Sequence, residues 1–205
     1  MATANRYHHG NLREAILQRA AEVIGEEGIE ALSLRGIARD LGVSHGAPNR
    51  HFKTKAELLT ELGAEAWLRA RNATLEAAET CGSQNPHVRL NAMGRGYLRW
   101  ALQHGPLLAV IQHPDINRYA TEKLNSAMSE FRASLLAAVK ATQEAGRHPE
   151  VDTTLLTLFT NSVPYGLASL MHDERNDGLL EGFTQEQAIA ELIELVVPIK
   201  HLTND

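Results

Sequence analysis

One polar segment of eight residues contains the side chains best suited to chemistry with another molecule. Lys55 follows it after three residues, and its sequence is Ser44-His45-Gly46-Ala47-Pro48-Asn49-Arg50-His51. Asn and Arg form paired hydrogen bonds with base edges, and Ala and Pro can pack against thymine methyl groups. Ser, His and Lys suit phosphate oxygens. This mixture predicts contact with double-stranded DNA, and Gly46 permits a close approach of the backbone.

The residues around this segment predict the helices that must position it. Ser33 is placed to cap a short second helix, whose apolar residues recur at helical spacing: Leu34, Ile37, Ala38 and Leu41. Gly42 suits a left-handed turn, and Ser44 is placed to cap a short third helix over residues 44–52. Two close helices joined in this way form a helix-turn-helix, whose second helix enters the major groove.

Apolar residues recur at spacings of three and four along most of the chain, with Gly and Pro between the segments. The sequence therefore predicts an all-α protein. The first helix is expected over residues 12–27, and Pro164 is expected to kink the helix that contains it. After residue 55 the expected helices span residues 55–80, 86–104, 106–112, 116–145, 151–174 and 184–202.

Charge is unevenly distributed along the 205 residues. Residues 1–55 carry eight Lys/Arg and six Asp/Glu, whereas residues 56–205 carry twelve and nineteen. The basic excess therefore lies with the polar segment, as a nucleic-acid partner requires. The single Cys excludes an internal disulfide and a Cys-based metal site. Because no apolar run suits a signal peptide or a membrane span, we expect a cytoplasmic protein.

Several motif residues between Ala31 and Leu59 occur together: Ser33, Ile37-Ala38, Leu41-Gly42-Val43-Ser44, His51-Phe52, Lys55 and Leu58-Leu59. This stretch resembles the DNA-binding domain of the tetracycline repressor (TetR) family of bacterial transcriptional regulators. More weakly, residues 96–102 and 165–170 resemble its WHG-type ligand-domain subgroup, which usually has Trp and His where this chain has Asn161 and Tyr165. The resemblance implies a helix-turn-helix domain with an N-terminal arm in residues 1–55. It implies a helical ligand-binding and dimerisation domain in residues 56–205.

The resemblance, together with the residue types, suggests individual DNA contacts. Lys55, at the start of the fourth helix, and Ser33 are expected to bind phosphates, and Arg35 suits either guanine or phosphate. His51 is expected both to pack and to touch phosphate. Asn49 stands where the family usually has a phosphate-binding Tyr, and Asn either donates to phosphate or reads adenine. Further contacts are expected from Ser44, His45, Gly46, Ala47, Pro48 and Arg50.

The segment before the first helix, residues 5–11, is polar, basic and aromatic. Two interpretations remain open: a disordered tail, or an arm whose Arg6 follows the minor groove. The adjacent His8 and His9 lack the second cluster that a metal site needs.

Large apolar side chains in the C-terminal part are spaced like inward helix faces, and most should form ordinary core. The resemblance implies that some of them line a cavity for a small-molecule effector, which we expect to be apolar or aromatic. Asn161 and Tyr165, one turn apart, are expected to orient it. The other expected lining residues are Trp67, Met93, Tyr97, Trp100, Ile111, Phe131 and Phe159.

Two other classes of function compete with a regulator. An enzyme is disfavoured because the sequence has no paired Glu-x-x-His motifs, Gly-rich phosphate loop or nucleophile elbow. His104, His113 and His172 match no compact metal site, Cys81 is expected to be structurally neutral, and no cofactor is expected. An interaction module would follow if Asn49 marked a degenerate DNA surface, but Arg50, His51 and Lys55 argue against it.

The leading hypothesis is a repressor that binds a palindromic operator as a homodimer and leaves it when an effector binds. Two apolar stripes predict a four-helix dimer interface with two-fold symmetry. The first comprises Leu155, Leu158, Ser162, Leu167 and Leu170. The second comprises Ile189, Leu192, Ile193, Val196 and Val197.

Overall fold

The computed structural model describes residues 12–173, 176, 178 and 180–200, and only the backbone of residues 115 and 117. Within this part the structure has helices and no β-strand, which confirms the all-α prediction. The α-helices are α1 (Leu12–Glu27), α2 (Leu34–Asp40), α3 (Lys55–Thr80), α4 (Pro86–Gln103), α5 (Gly105–Gln112), α6 (Pro114–Arg118), α7 (Glu122–Glu144), α8 (Thr153–His172) and α9 (Gln185–Val196). None of these helices is long and apolar enough to cross a membrane.

The chain forms two compact units, and neither is one continuous stretch of sequence. Unit 1 extends to Ala66 and also includes Pro106–Asn125. Unit 2 comprises Trp67–Gly105 and the chain from Ser126 onward. The helices α3 and α7 each contribute residues to both units. The structural division therefore differs from the predicted boundary at residue 55, because residues 106–125 pack with the N-terminal part.

Two predicted helices end or break earlier than expected. The helix expected over residues 116–145 is divided into α6 and α7, and the Thr121 hydroxyl accepts a hydrogen bond from Leu124 N–H at 3.2 Å at the start of α7. The helix expected to reach residue 202 ends at Val196. Pro198 follows two residues later and disfavours helix both in itself and in the residue before it.

Unit 2 is built around contacts among α4, α8 and α9. Each of these helices has a side-chain cap at its start: Asn85 for α4, Asp152 for α8 and Thr184 for α9. Arg99 on α4 donates two hydrogen bonds of 2.7 Å to the Glu186 carboxylate on α9. These caps and the ion pair fix the ends of the helices whose inward faces form the core.

The helices α3 and α4 lie in close contact at Gly96. A Cβ atom at this position would lie 2.5 Å from the Ala77 Cβ and 2.8 Å from the Ala73 carbonyl oxygen. Such distances are shorter than real contacts, and the carbonyl belongs to a helix backbone that cannot move aside alone. Glycine is therefore required here by the helix crossing.

We expect Gly96→Ala to lower the free energy of unfolding by about 1–3 kcal/mol, the usual cost of overpacking a core. Gly94→Ala is the matched control on the same helix, because the three atoms nearest to its Cβ all belong to the flexible Ile193 side chain, the first at 3.1 Å. Chemical denaturation of both variants checks this expectation. Equal stability of the two variants would contradict the close helix crossing.

Candidate nucleic-acid interface and ligand cavity

The first two helices of unit 1 form the support for the polar segment. The Ser33 hydroxyl accepts a hydrogen bond from Gly36 N–H at 3.1 Å, which confirms the predicted cap of α2. Arg19 on α1 pairs with Asp40 at the end of α2 at 3.1 Å. Gly42 has φ 65°, the left-handed conformation that the predicted turn requires. Val43 N–H then bonds to the Ala38 carbonyl and directs the chain into the polar segment.

The third helix is shorter and tighter than predicted. Instead of an α-helix over residues 44–52, the structure has turns and a 3-10 helix, Pro48–Arg50. Pro48 has no N–H to bond the Ser44 carbonyl, and its ring disfavours an α-helical turn before it. Ala47 N–H bonds to the Ser44 carbonyl instead, and the N-cap residue of the 3-10 helix is Ala47, not Ser44. The expected Ser44 side-chain cap was therefore wrong.

Most of the predicted DNA-contacting residues lie on the surface of unit 1. Pro48 is the exception because it is buried, so its expected contact with a thymine methyl group was wrong. His51 is exposed, which removes the packing role expected for its side chain. Arg6 lies outside the described residues. The exposed members are Ser33, Arg35, Ser44, His45, Gly46, Asn49, Arg50 and His51, and Ala47 is partly exposed.

Lys55 begins α3 and keeps part of its side chain exposed. Its ammonium lies 3.4 Å from the Glu30 carbonyl oxygen and 3.8 Å from the Glu30 carboxylate. These are long surface contacts, which phosphate can replace at little cost. The Thr54 hydroxyl accepts from Glu57 N–H at 3.1 Å, so α3 starts where the sequence predicts. Sequence reasoning missed Lys53, whose exposed ammonium donates to the Asn49 carbonyl at 3.0 Å.

An ion-pair cluster joins α1, α3 and α7 within unit 1. The Glu61 carboxylate on α3 accepts from Arg13 at 2.6 Å and also from Lys123. The Arg13 guanidinium lies over the ring of the buried Phe52, 5.4 Å from its centroid. Burial alone would raise the pKa of Glu61, but the hydrogen bonds from Lys123 and Arg13 outweigh burial and hold the pKa below its usual value.

This lowered pKa predicts an acid-sensitive contribution to stability. A carboxyl group with a lower pKa in the folded state stabilises it above its unfolded pKa, and this contribution is lost as the pH falls through the folded pKa. We therefore expect the free energy of unfolding to fall less in Glu61→Gln than in the wild type as the pH is lowered from about 6 to about 3. Glu79→Gln, at the exposed end of α3, is the control. Identical pH profiles for wild type and Glu61→Gln would contradict the assignment.

Unit 2 contains a small apolar cavity bordered by α3, α4, α7, α8, α9 and the residue after α9. Its volume is about 20 Å³, so side chains fill most of the space between these helices. Of the expected ligand residues, Met93, Tyr97, Phe131 and Asn161 line it. The lining residues that sequence reasoning missed are Thr74, Leu90, Gly94, Leu135, Thr160, Pro164, Ile193, Val196 and Val197.

Five expected lining residues lie elsewhere. Phe159 is 56% exposed on the outer face of α8, and Ile111 is buried in unit 1. Trp67 packs against Phe131 behind the cavity wall, with ring centroids 5.2 Å apart, and Trp100 stacks on His104. Tyr165 is half-buried and does not line the cavity. Of the large aromatic side chains, Tyr97 and Phe131 thus line the cavity, while Trp67 and Trp100 do not.

The two apolar stripes predicted for dimerisation differ in solvent exposure. On α8, Leu155, Leu158 and Leu170 are 62%, 65% and 52% exposed, and Phe159 lies beside them. By contrast, Ile189, Ile193 and Val196 on α9 and Val197 just after it are buried in the core of unit 2. The prediction that these four residues form a dimer interface was therefore wrong, because contacts of α9 with α4 and α8 cover them; Leu192 of the same stripe is half-buried.

Within the described residues, no group of three His, Cys, Asp or Glu side chains is placed to hold a metal ion. His104 Nδ1 lies 2.8 Å from the Trp100 carbonyl oxygen, and His172 Nε2 lies 2.9 Å from that of Ala101. These two imidazoles thus contact helix ends. Cys81 Sγ contacts the Ala78 carbonyl oxygen at 3.2 Å at the end of α3.

Both parts of the chain match models of known protein families. Residues 16–62 match the family described as "Bacterial regulatory proteins, tetR family". Residues 90–196, about half of the chain, match "Tetracyclin repressor-like, C-terminal domain". The first match contains α2, the turn at Gly42 and the polar segment, and the second contains most of the cavity lining.

Individual proteins agree with these matches. The chain is 32% identical over 111 residues to the class D tetracycline repressor protein of Escherichia coli, covering 53% of this chain and 49% of that protein. It is 30% identical over 112 residues to the HTH-type transcriptional repressor KstR2 of Mycobacterium tuberculosis, covering 54% of each. The alignments thus span about half the length of these repressors.

A solved structure of a protein of unknown function from Rhodococcus sp. RHA1 has a TM-score of 0.77 at 28% identity, covering 94% of this chain and 96% of that one. The helix-turn-helix, the helical C-terminal part and the two family matches together place this chain in the TetR family of bacterial regulatory proteins.

Proposed function

We propose that this protein is a transcriptional repressor that binds a palindromic operator as a homodimer and is released by a small-molecule effector. The observation that carries the proposal is the exposed polar surface formed by α2 and the polar segment. Its side chains Arg35, His45, Asn49 and Arg50 are all exposed. It combines donors for phosphate with side chains that read base edges. The tetracycline repressor and KstR2, which this chain resembles, are both repressors, and no enzymatic role is proposed. The protein acts in the cytoplasm, where bacterial DNA is accessible.

DNA contacts divide by residue type and position. Lys55 and Ser33 bind phosphates, and they set the affinity for any sequence. Asn49, His45 and Arg50 lie on the 3-10 turn or just before it and read bases. Arg35, early in α2, binds guanine or phosphate. Because the 3-10 helix is shorter than the α-helix expected here, it presents few side chains to the groove. Asn49 therefore contributes a larger share of the sequence preference than one residue of a longer helix would.

Dimerisation places two such surfaces on one face of the duplex. The exposed apolar face of α8 supports this part of the proposal, because a soluble monomer rarely exposes several large apolar side chains on one helix. Two copies of α8 packed around a two-fold axis would bury these side chains. Each half-site of the operator then receives one polar segment.

The effector acts through unit 2. The cavity lining is apolar on most sides, which suits an apolar or aromatic compound. We assign the coupling between effector binding and DNA binding to α3. Lys55 is the first residue of this helix, and Trp67 lies twelve residues further along it. An effector that binds a tilted conformation more tightly than the DNA-bound one lowers the affinity for DNA.

Selection of duplexes from a random library tests the DNA-binding part of the proposal. We expect enrichment of inverted repeats whose half-site centres lie about 10 base pairs, or a multiple of one helical turn, apart. Sequencing the bound pool after several rounds gives the result. Retention of DNA without any enriched repeat would contradict operator recognition.

A further inference from the structure

Two hydroxyl groups in the unit 2 cavity are buried without a partner in the described part of the chain. They are Tyr97 Oη and Thr160 Oγ1, on residues that are only 4% and 6% exposed. Both residues line the same cavity, Tyr97 from α4 and Thr160 from α8. A third hydroxyl there, on Thr74, differs from these two because it donates to the Ala70 carbonyl at 2.7 Å.

Buried hydroxyl groups are nearly always hydrogen-bonded, because leaving one unpaired forfeits its bonds to water. The partner of Tyr97 and Thr160 must therefore come from outside the described part of the chain. A cavity of about 20 Å³ has room for about one water molecule, or for one oxygen atom of a ligand. The two unpartnered hydroxyl groups thus border a space that is large enough for one oxygen atom.

The rest of the lining restricts the charge of that ligand. Among the described lining residues none is charged, and Asn161 is the only amide. Placing an ionised carboxylate or ammonium there would be unfavourable, because nothing in the lining pairs with a full charge. Burial, with Tyr165 nearby, raises the pKa of Tyr97 above its usual value. The phenol therefore remains a protonated donor at neutral pH.

On the basis of the function proposed above, we infer that the effector is a neutral, mainly apolar molecule whose single acceptor oxygen binds between Tyr97 and Thr160. A ketone or ester carbonyl satisfies this description, because its oxygen accepts from two hydroxyl groups at once. The apolar body of the molecule contacts Met93, Phe131 and Ile193.

The small volume also explains how binding is coupled to conformation. A ligand body larger than water that enters this space must displace side chains of α4, α7, α8 or α9, since the enclosed volume is only about 20 Å³. Met93 and Ile193 are flexible enough to move, whereas Pro164 is not. A ligand of this class therefore binds an expanded form of unit 2 more tightly than the closely packed form.

Three compounds of similar shape but different polarity test the inference. Acetophenone is a ketone, ethylbenzene is a hydrocarbon and benzoate is an anion. Their dissociation constants for the full-length protein are measured by ligand-observed NMR titration up to millimolar concentration. The variants Tyr97→Phe and Thr160→Val each remove one unpartnered hydroxyl. The matched control Thr74→Val removes the hydroxyl in the same cavity that already has a partner.

We expect acetophenone to bind more tightly than benzoate, and each of the two variants to weaken acetophenone by about tenfold, the effect of one hydrogen bond. Ethylbenzene should bind wild type and both variants equally, and Thr74→Val should not discriminate between ketone and hydrocarbon. The thermal midpoints of Tyr97→Phe and Thr160→Val should not fall, because neither hydroxyl has a partner within the described part of the chain.

Tighter binding of benzoate, an unchanged affinity of the variants for acetophenone, or no binding of acetophenone would overturn the inference. A lowered thermal midpoint for both variants would also overturn it, because it would reveal structural partners for the hydroxyls. Addition of acetophenone to the complex with the selected duplex separates this inference from the proposed function. Hydroxyl-dependent binding without release of DNA would leave the ligand chemistry in place and contradict the regulatory role.

Discussion

Replacing Leu158 by Glu is expected to convert the proposed dimer into monomers and to weaken binding to the selected duplex by about 100-fold or more, the usual gain from linking two binding sites. Leu158 is 65% exposed on α8, so the substitution should not disturb the core of unit 2. In a two-fold interface, however, the change would place two carboxylates in an apolar contact, which is strongly unfavourable. Light scattering gives the mass and fluorescence anisotropy gives the affinity.

Leu136→Glu is the matched control for this prediction. Leu136 is also a large exposed apolar residue, 42% exposed, but it lies on α7. We expect this variant to remain dimeric and to bind DNA as the wild type does. A Leu158→Glu protein that is still dimeric at micromolar concentration would show that the α8 face is not the interface.

Replacing Lys55 by Ala is expected to weaken binding to all duplexes by about tenfold or more per half-site, the effect of removing one charged hydrogen bond to phosphate. The slope of log affinity against log salt should fall by about 0.9 for each phosphate that is no longer neutralised. Sequence preference should not change, because a phosphate contact carries no base information. The folded protein should lose little stability, because the contacts of Lys55 with Glu30 are long and on the surface.

Lys140→Ala provides the comparison for Lys55. Lys140 lies on α7 and is 67% exposed, with Glu144 at 3.9 Å as its partner, so its replacement removes the same charge without touching the polar segment. We expect the affinity and salt slope of this variant to equal those of the wild type. Equal salt slopes for Lys55→Ala and Lys140→Ala would remove Lys55 from the DNA contact.

The parts of the fold that depend on local signals were predictable from sequence. The bounds of α1, the Ser33 cap and the left-handed Gly42 follow from helical periodicity and from residues with one preferred conformation. The α-helix predicted over residues 44–52 does not form, because the missing N–H of Pro48 prevents the α-helical bond to the Ser44 carbonyl despite the capping pattern at Ser44. That proline was the signal in the sequence that could have predicted the turn.

The failures in unit 2 have a different cause. The stripe containing Ile189 and Ile193 on α9 is apolar on one face, and periodicity does not tell whether that face meets the same chain or a second copy. The same ambiguity placed Phe159 in the cavity, although it lies on the outer face of α8. Thr160 did carry a signal, because it shares the inward stripe of α8 with Leu156 and Pro164. Its missing partner, however, depends on tertiary packing.

The central claim is that one molecule cannot hold both operator and effector at full affinity. Compounds that raise the thermal midpoint of the free protein are titrated into the free protein and into its complex with the selected duplex. Because coupling between two binding sites is reciprocal, we expect DNA to weaken effector binding by the same factor by which the effector weakens DNA binding. If every stabilising compound leaves the affinity for DNA unchanged, the proposed release mechanism is wrong.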